Sequence, residues 1–113
     1  MVNADRIKVI VTMTGESILT DLQEAVDKDT NERKAYVFNY PYKVTYTKPE
    51  LDGTGLVTDP EVRVNYEPWN ALTSDVRMAV STDYVVTILE PVPSLRDTYI
   101  DNVRKMGGDV EWV

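Results

Sequence analysis

The sequence predicts a mainly β domain, and three observations carry that prediction. Val, Ile and Thr contribute 17, 5 and 12 residues, 34 in all, against 7 Leu and 5 Ala. β-Branched side chains suit a pleated strand, whereas helices are filled chiefly by Leu and Ala. Seven Tyr push the same way. Short runs of alternating polarity then recur along the chain, broken by clusters of Gly, Pro, Asp and Asn.

Residues 1–5 read as a short tail or helical turn. Residues 6–14 form a strand with Ile7, Val9, Val11 and Met13 on one face, and Arg6, Lys8, Ile10, Thr12 and Thr14 on the other. Gly15-Glu16 is a tight turn into a second strand over residues 17–26, with Ile18, Leu22 and Val26 as its apolar positions. Residues 27–32 (Asp-Lys-Asp-Thr-Asn-Glu) are a polar hairpin loop. A third strand covers residues 33–39 and resumes over 42–47. Pro41 lies between, and because proline donates no ladder hydrogen bond a bulge or bend is expected there. Residues 48–60, with two Pro and two Gly, make one long irregular connection. Residues 62–67 alternate Val62, Val64 and Tyr66 against Arg63, Asn65 and Glu67, the pattern of a half-buried strand. Two more strand segments, 76–80 and 84–89, flank the polar step Ser81-Thr82-Asp83, and Pro91-Val92-Pro93 ends the sheet. Ser94 is placed to cap a helix, with Asp97 near its positive end. Leu95, Tyr99, Val103 and Met106 form its apolar stripe, and Gly107-Gly108 its stop.

At 113 residues the chain fits one domain: a sheet over residues 6–89, a helix over 94–106 and a tail over 109–113. A small sheet rarely buries enough area as an open layer, so a strongly bent five-stranded barrel is expected, with residual edges free to pair with another subunit. With 12 basic and 19 acidic residues, the net charge of −7 opposes broad attraction to nucleic acid while permitting a local basic patch. There is no Cys and no His. Disulfides, thiolate metal sites, and Ser-His or Cys-His catalysis are thereby excluded. No apolar run approaches the ~20 residues of a membrane helix, and the first residues are not a signal peptide, so a soluble intracellular protein with no membrane partner is expected.

The motifs are short. Asp27-Lys28-Asp29-Thr30-Asn31 begins like a calcium loop, but Glu32 replaces the required Gly and Phe38 the final Glu, so a solvated turn is the better reading. Asp52-Gly53-Thr54-Gly55 lacks phosphate-loop spacing and reads as a loop tip. Tyr36, Phe38, Tyr40, Tyr42 and Tyr46 fall at even spacing, with Lys43 beside them. Such a series either stacks nucleic-acid bases or fills a core, and packing is the favoured use. Arg33-Lys34 and Arg104-Lys105 are the only adjacent basic pairs, and no carboxylate pair has spacing for acid–base work. No catalytic constellation emerges. A non-enzymatic protein without cofactor or metal is expected.

Two stretches resemble the Sm-like family. Residues 9–13, Gly15, residues 18–22, Asp27 and Asn31 follow its first motif: an apolar strand, a Gly turn, a second strand, then Asp with Asn four positions on. Val80-Ser81-Thr82-Asp83-Tyr84-Val85-Val86-Thr87-Ile88 follows its second, keeping Asp83 but with Ser81 and Thr82 in place of Arg and Gly. Thr20 stands near the Gly expected in strand two, and the link between the motifs is lengthened at residues 48–60. Thr14-Gly15-Glu16-Ser17-Ile18, Glu67-Pro68-Trp69 and the run from Tyr84 through Pro91 to Ser94-Leu95 and Tyr99 are similar to the Sm-like proteins of marine, cyanophage-type phages.

The resemblance implies a five-stranded, bent Sm-like (SH3-like) barrel that assembles as a homo-oligomeric ring and binds single-stranded RNA during infection, in the host cytoplasm. In that reading Asn31 holds a base, oriented by Asp27, near Ser81, Thr82 and Asp83. Tyr40 or Tyr42 stacks the base, while Arg33, Lys34 and Lys43 meet phosphates. The alternative is an acidic protein-interaction or virion-assembly module that uses the ring as a scaffold for host or virion proteins. Tyr99, Val103, Trp112 and Val113 would then supply contacts.

Overall fold

The computed structural model describes residues 2–47 and 63–111, and the fold is mainly β. β1 (Val2–Asn3) leads into a 3-10 turn, Ala4–Arg6, capped by the Asn3 side chain. β2 (Ile7–Thr12) and β3 (Ser17–Val26) form a hairpin through Gly15, whose φ of +86° favours glycine. β4 (Arg33–Thr47) follows the polar hairpin loop, then β5 (Arg63–Pro68), β6 (Arg77–Val80), a second 3-10 turn (Thr82–Tyr84) and β7 (Val85–Leu89). The helix α1 (Pro93–Lys105) and β8 (Val110–Glu111) complete the order. Met1, residues 48–62, Trp112 and Val113 lie outside the described residues, and with them the long connection and the Val62 start of the strand expected over 62–67.

The main sheet is antiparallel in the order β5-β4-β3-β2-β7, and β6 pairs with the other half of β4. β1 and β8 form a separate parallel pair, Val2 opposite Val110. The sheet therefore has six strands rather than the five expected. β4 is long enough to hold two partners: residues 42–47 pair with β5, and residues 36–39 with β6.

A short connection makes the sheet curl. β6 and β7 are separated by β4, β3 and β2, so in a flat sheet they would lie about 19 Å apart, four spacings of ~4.8 Å. The four residues 81–84 join them, three of them in a 3-10 turn that rises only ~2 Å per residue. That span falls short of 19 Å, so the sheet bends round. Among the described residues β6 and β7 do not pair, and the expected closure into a barrel is not completed.

The bend in β4 falls one residue before the expected proline. Tyr40 has φ +50°, and the register with β3 shifts between Leu19 and Asp21, so that Tyr40 and Pro41 bulge opposite the single residue Thr20. Thr20 Oγ1 donates to Asn39 O at 2.8 Å, so the bulge satisfies its own polar groups.

Two cores result, one on each face of the sheet. Ile7, Leu19 and Tyr42 pack with Tyr99, Ile100 and Val103 of α1. Ile10, Ile18, Tyr36, Phe38 and Val80 pack inside the curl, with Trp69 and Tyr84 at their margin. Ile10, assigned from sequence to the more polar face of its strand, is fully buried because the curl covers that face too. The helix begins two residues earlier than a Ser94 cap would place it. Val92 is the N-cap without a side-chain bond, and Pro93 occupies the first turn, where its missing N–H has no helical partner to lose. At the other end Gly108 N–H donates to Val103 O and Gly107 N–H to Arg104 O, the paired bonds of a Schellman stop, with Gly107 at φ +84°. Met106, assigned to the apolar stripe, sits at this C-cap and is exposed.

Candidate functional site

The sequence-derived site residues fall into three groups, of which the fold brings two together. The first is the β3–β4 hairpin. Asp27 accepts from the N–H of Asp29 at 2.8 Å and of Thr30 at 3.3 Å, and Lys34 lies 3.4 Å from its carboxylate. The Asp29 and Thr30 amides, then the Lys34 ammonium, hold the Asp27 pKa below its ordinary value. Asn31 adopts φ +58°, a left-handed conformation Asn tolerates better than most residues, and its N–H donates to Asp27 O. Both residues build the turn itself. Arg33 pairs with Glu24 at 2.9 Å and lies 5.0 Å from the Tyr36 ring centroid.

The second group is the 3-10 turn. Ser81 accepts from Asp83 N–H at 3.3 Å, and Thr82 and Asp83 follow in the turn. Tyr36 is opposite Val80 in the β4–β6 ladder. The turn leaves β6 at that point, so it starts beside Tyr36, two residues past Lys34 in β4.

The third group lies at the centre of β4, apart from the others. Tyr42 is buried under α1, edge-on to Tyr99 with ring centroids 6.0 Å apart, and its hydroxyl reaches Met106 Sδ. Burial chiefly, and Tyr40 secondarily, raise its pKa. Tyr40 packs against the same core at the kink. Neither ring is offered on an open sheet face. Lys43 points to the opposite side, 3.9 Å from Glu16, in an open groove bordered by Ser17, Thr45 and the exposed Tyr46.

Two features lie outside the sequence-derived site. Asp21 is the only fully buried charged side chain among the described residues. Arg6 Nε and Nη2 each donate to it at 2.9 Å, and Asn3 N–H donates at 2.9 Å, so both oxygens are engaged in holding the first 3-10 turn to the sheet. The other is a cavity of about 220 Å3 at the kink, between β4 and the loop over residues 69–76. Its lining is mostly apolar, and Trp69 within it touches Phe38 and Tyr84 at centroid distances of 5.5 and 6.3 Å. The signal available in sequence was Pro68-Trp69 and Leu72, apolar residues in an otherwise polar loop.

Among the described residues there is no cluster of three or more acidic side chains able to hold a metal, and no helix is long and apolar enough to cross a membrane. No protein-family model matches the sequence, and a search of curated proteins finds no match either.

Proposed function

We propose that the chain is a non-enzymatic Sm-like protein that joins copies of itself through the two free edges of its curled sheet and holds single-stranded RNA at the hairpin end. The observation that carries the reading is the pair of edges. Among the described residues β7 bonds only to β2 on one side, and β5 and β6 bond only to β4 on the other. Val86, 64% exposed, and the exposed Ile88 and Leu89 line the β7 edge. An uncovered apolar edge strand is a template for another chain, and head-to-tail pairing of unlike edges closes a ring when the rotation permits. The β6–turn–β7 passage and the strand order support the Sm-like assignment, and the hairpin beside Ser81–Asp83 supplies the RNA end, with Lys34 and Arg33 for phosphates. Infection and the host cytoplasm are the setting this resemblance implies.

The test has two readouts. Sedimentation velocity gives one oligomer size for the wild type, and Ile88→Lys shifts it to smaller species. Anisotropy with labelled U-rich and A-rich single-stranded RNA gives saturable binding that weakens between about 50 and 200 mM salt. Asn31→Ala with Lys34→Ala lowers that affinity. A monomer at all concentrations overturns the ring, and unchanged affinity in the double variant overturns the site.

A protein-interaction role has its own support. Lys34 and Arg33 are already paired with Asp27 and Glu24, which limits what they offer phosphates, and the net charge is −7.

A further inference from the structure

We infer that the cavity at the kink of β4 receives an arginine side chain from a partner protein. This goes beyond the ring and RNA reading and does not depend on it. The loop over residues 69–76 is fastened to the kink at both ends: Trp69 N–H donates to Pro41 O at 3.0 Å, and Tyr40 N–H donates to Val76 O at 2.6 Å. The cavity is therefore framed by backbone hydrogen bonds. Its floor is Tyr40, a non-glycine residue at φ +50°, and residues held in that region concentrate at functional sites because the surrounding structure must maintain them.

The chemistry of the lining selects the occupant. Among the described residues bordering the cavity Asp75 alone is charged, and its carboxylate makes no ion pair or hydrogen bond with any described residue. An unpaired carboxylate at an apolar concavity favours a cation. Tyr40, Trp69 and Met106 supply aromatic and thioether surface. A guanidinium is planar, weakly hydrated and stacks on such surface, whereas an ammonium keeps its water more strongly. Its five N–H donors also match the carboxylate and the side-chain oxygens of Asn70 and Ser74.

The size and rim point to a side chain on a protein. About 220 Å3 lies below the ~300–1,000 Å3 of ordinary small-molecule sites and suits a single side chain. Leu72, between two lining residues, is 96% exposed, and Met106, itself a lining residue, is exposed too. A partner surface around the arginine would cover both, with an apolar residue next to the arginine meeting Leu72.

The experiment follows the Trp69 indole N–H and the amides of residues 70–76 by NMR, in the full chain with Trp112→Phe to leave one tryptophan. The probes are N-acetyl-arginine amide, its citrulline isostere, and the capped tetrapeptides Gly-Leu-Arg-Gly and Gly-Leu-citrulline-Gly. Arginine probes are expected to give saturable shifts confined to this loop, with Asp75→Asn weakening them about fivefold. The leucine-bearing peptide binds more tightly than capped arginine, and Leu72→Ala removes that gain. Equal shifts with arginine and citrulline, or none with arginine, overturn the guanidinium site. Equal affinity for capped arginine and the peptide, unaffected by Leu72→Ala, overturns the partner-protein assignment in favour of a free guanidinium solute. The Asp75→Asn and Leu72→Ala changes lie on exposed loop positions, so loss of fold does not enter the reading.

Discussion

Deleting one hydroxyl, Tyr99→Phe, separates a structural hydrogen bond from simple core packing. Tyr99 is fully buried; its OH donates to Asn39 O at 2.8 Å and accepts from Asp21 N–H at 3.1 Å. Without the hydroxyl, Asn39 O keeps the bond from Thr20 Oγ1 at 2.8 Å. The Asp21 N–H, beside the β4 bulge, loses the hydroxyl that accepts from it. Orphaning a buried donor costs about 1–3 kcal/mol. For a domain of this length that converts to a fall in Tm of about 4–12 °C, at ~4 °C per kcal/mol. Tyr42→Phe is the control. It removes a hydroxyl from the same aromatic pair, but among the described residues that hydroxyl meets only the Met106 thioether, a weak acceptor. Its cost should stay under about 0.5 kcal/mol. Urea unfolding followed by circular dichroism measures both variants. Equal losses, or a Tyr99→Phe loss as small as the control's, would refute the claim that this hydroxyl bridges the bulge to α1.

Two further outcomes are expected. Burial, chiefly, raises the Tyr99 pKa above its ordinary value, so the stability this ring contributes is fully present below about pH 10 and is lost as pH rises through the folded-state value. Tyr42 and Tyr66 are raised in the same direction, again mainly by burial. Stability of the wild type should therefore fall above about pH 10 more steeply than that of Tyr99→Phe, and parallel profiles in a urea series would contradict it. Separately, a Cβ at Gly108 would stand 2.7 Å from Val103 Cγ1 and 2.9 Å from the Tyr40 hydroxyl. Gly108→Ala should cost about 1–3 kcal/mol in chemical denaturation, and an unchanged midpoint would mean the end of α1 is not seated against the kink.

The order and character of the elements were legible in the chain. Alternation at residues 6–14, the Asp-Asn-rich loop at 27–32, the polar step at 81–83 and the Gly107-Gly108 stop each reflect a local cause: side-chain periodicity, turn chemistry or freedom at positive φ. The hairpin site residues could be placed for the same reason, since Asp27 and Asn31 act on their own backbone. What the tertiary structure decided is non-local. That Ile10 is buried depends on the sheet curling over it, and the curl follows from a four-residue link joining strands three neighbours apart. That Tyr42 lies beneath α1 rather than on an open face depends on which side the helix docks. The burial of Asp21 needs Arg6 and Asn3 brought from another strand, and the cavity at Tyr40 needs a loop returned from β5. Local spacing carries no record of such meetings, because they are set by how the curled sheet distributes its two faces between the helix and its own interior.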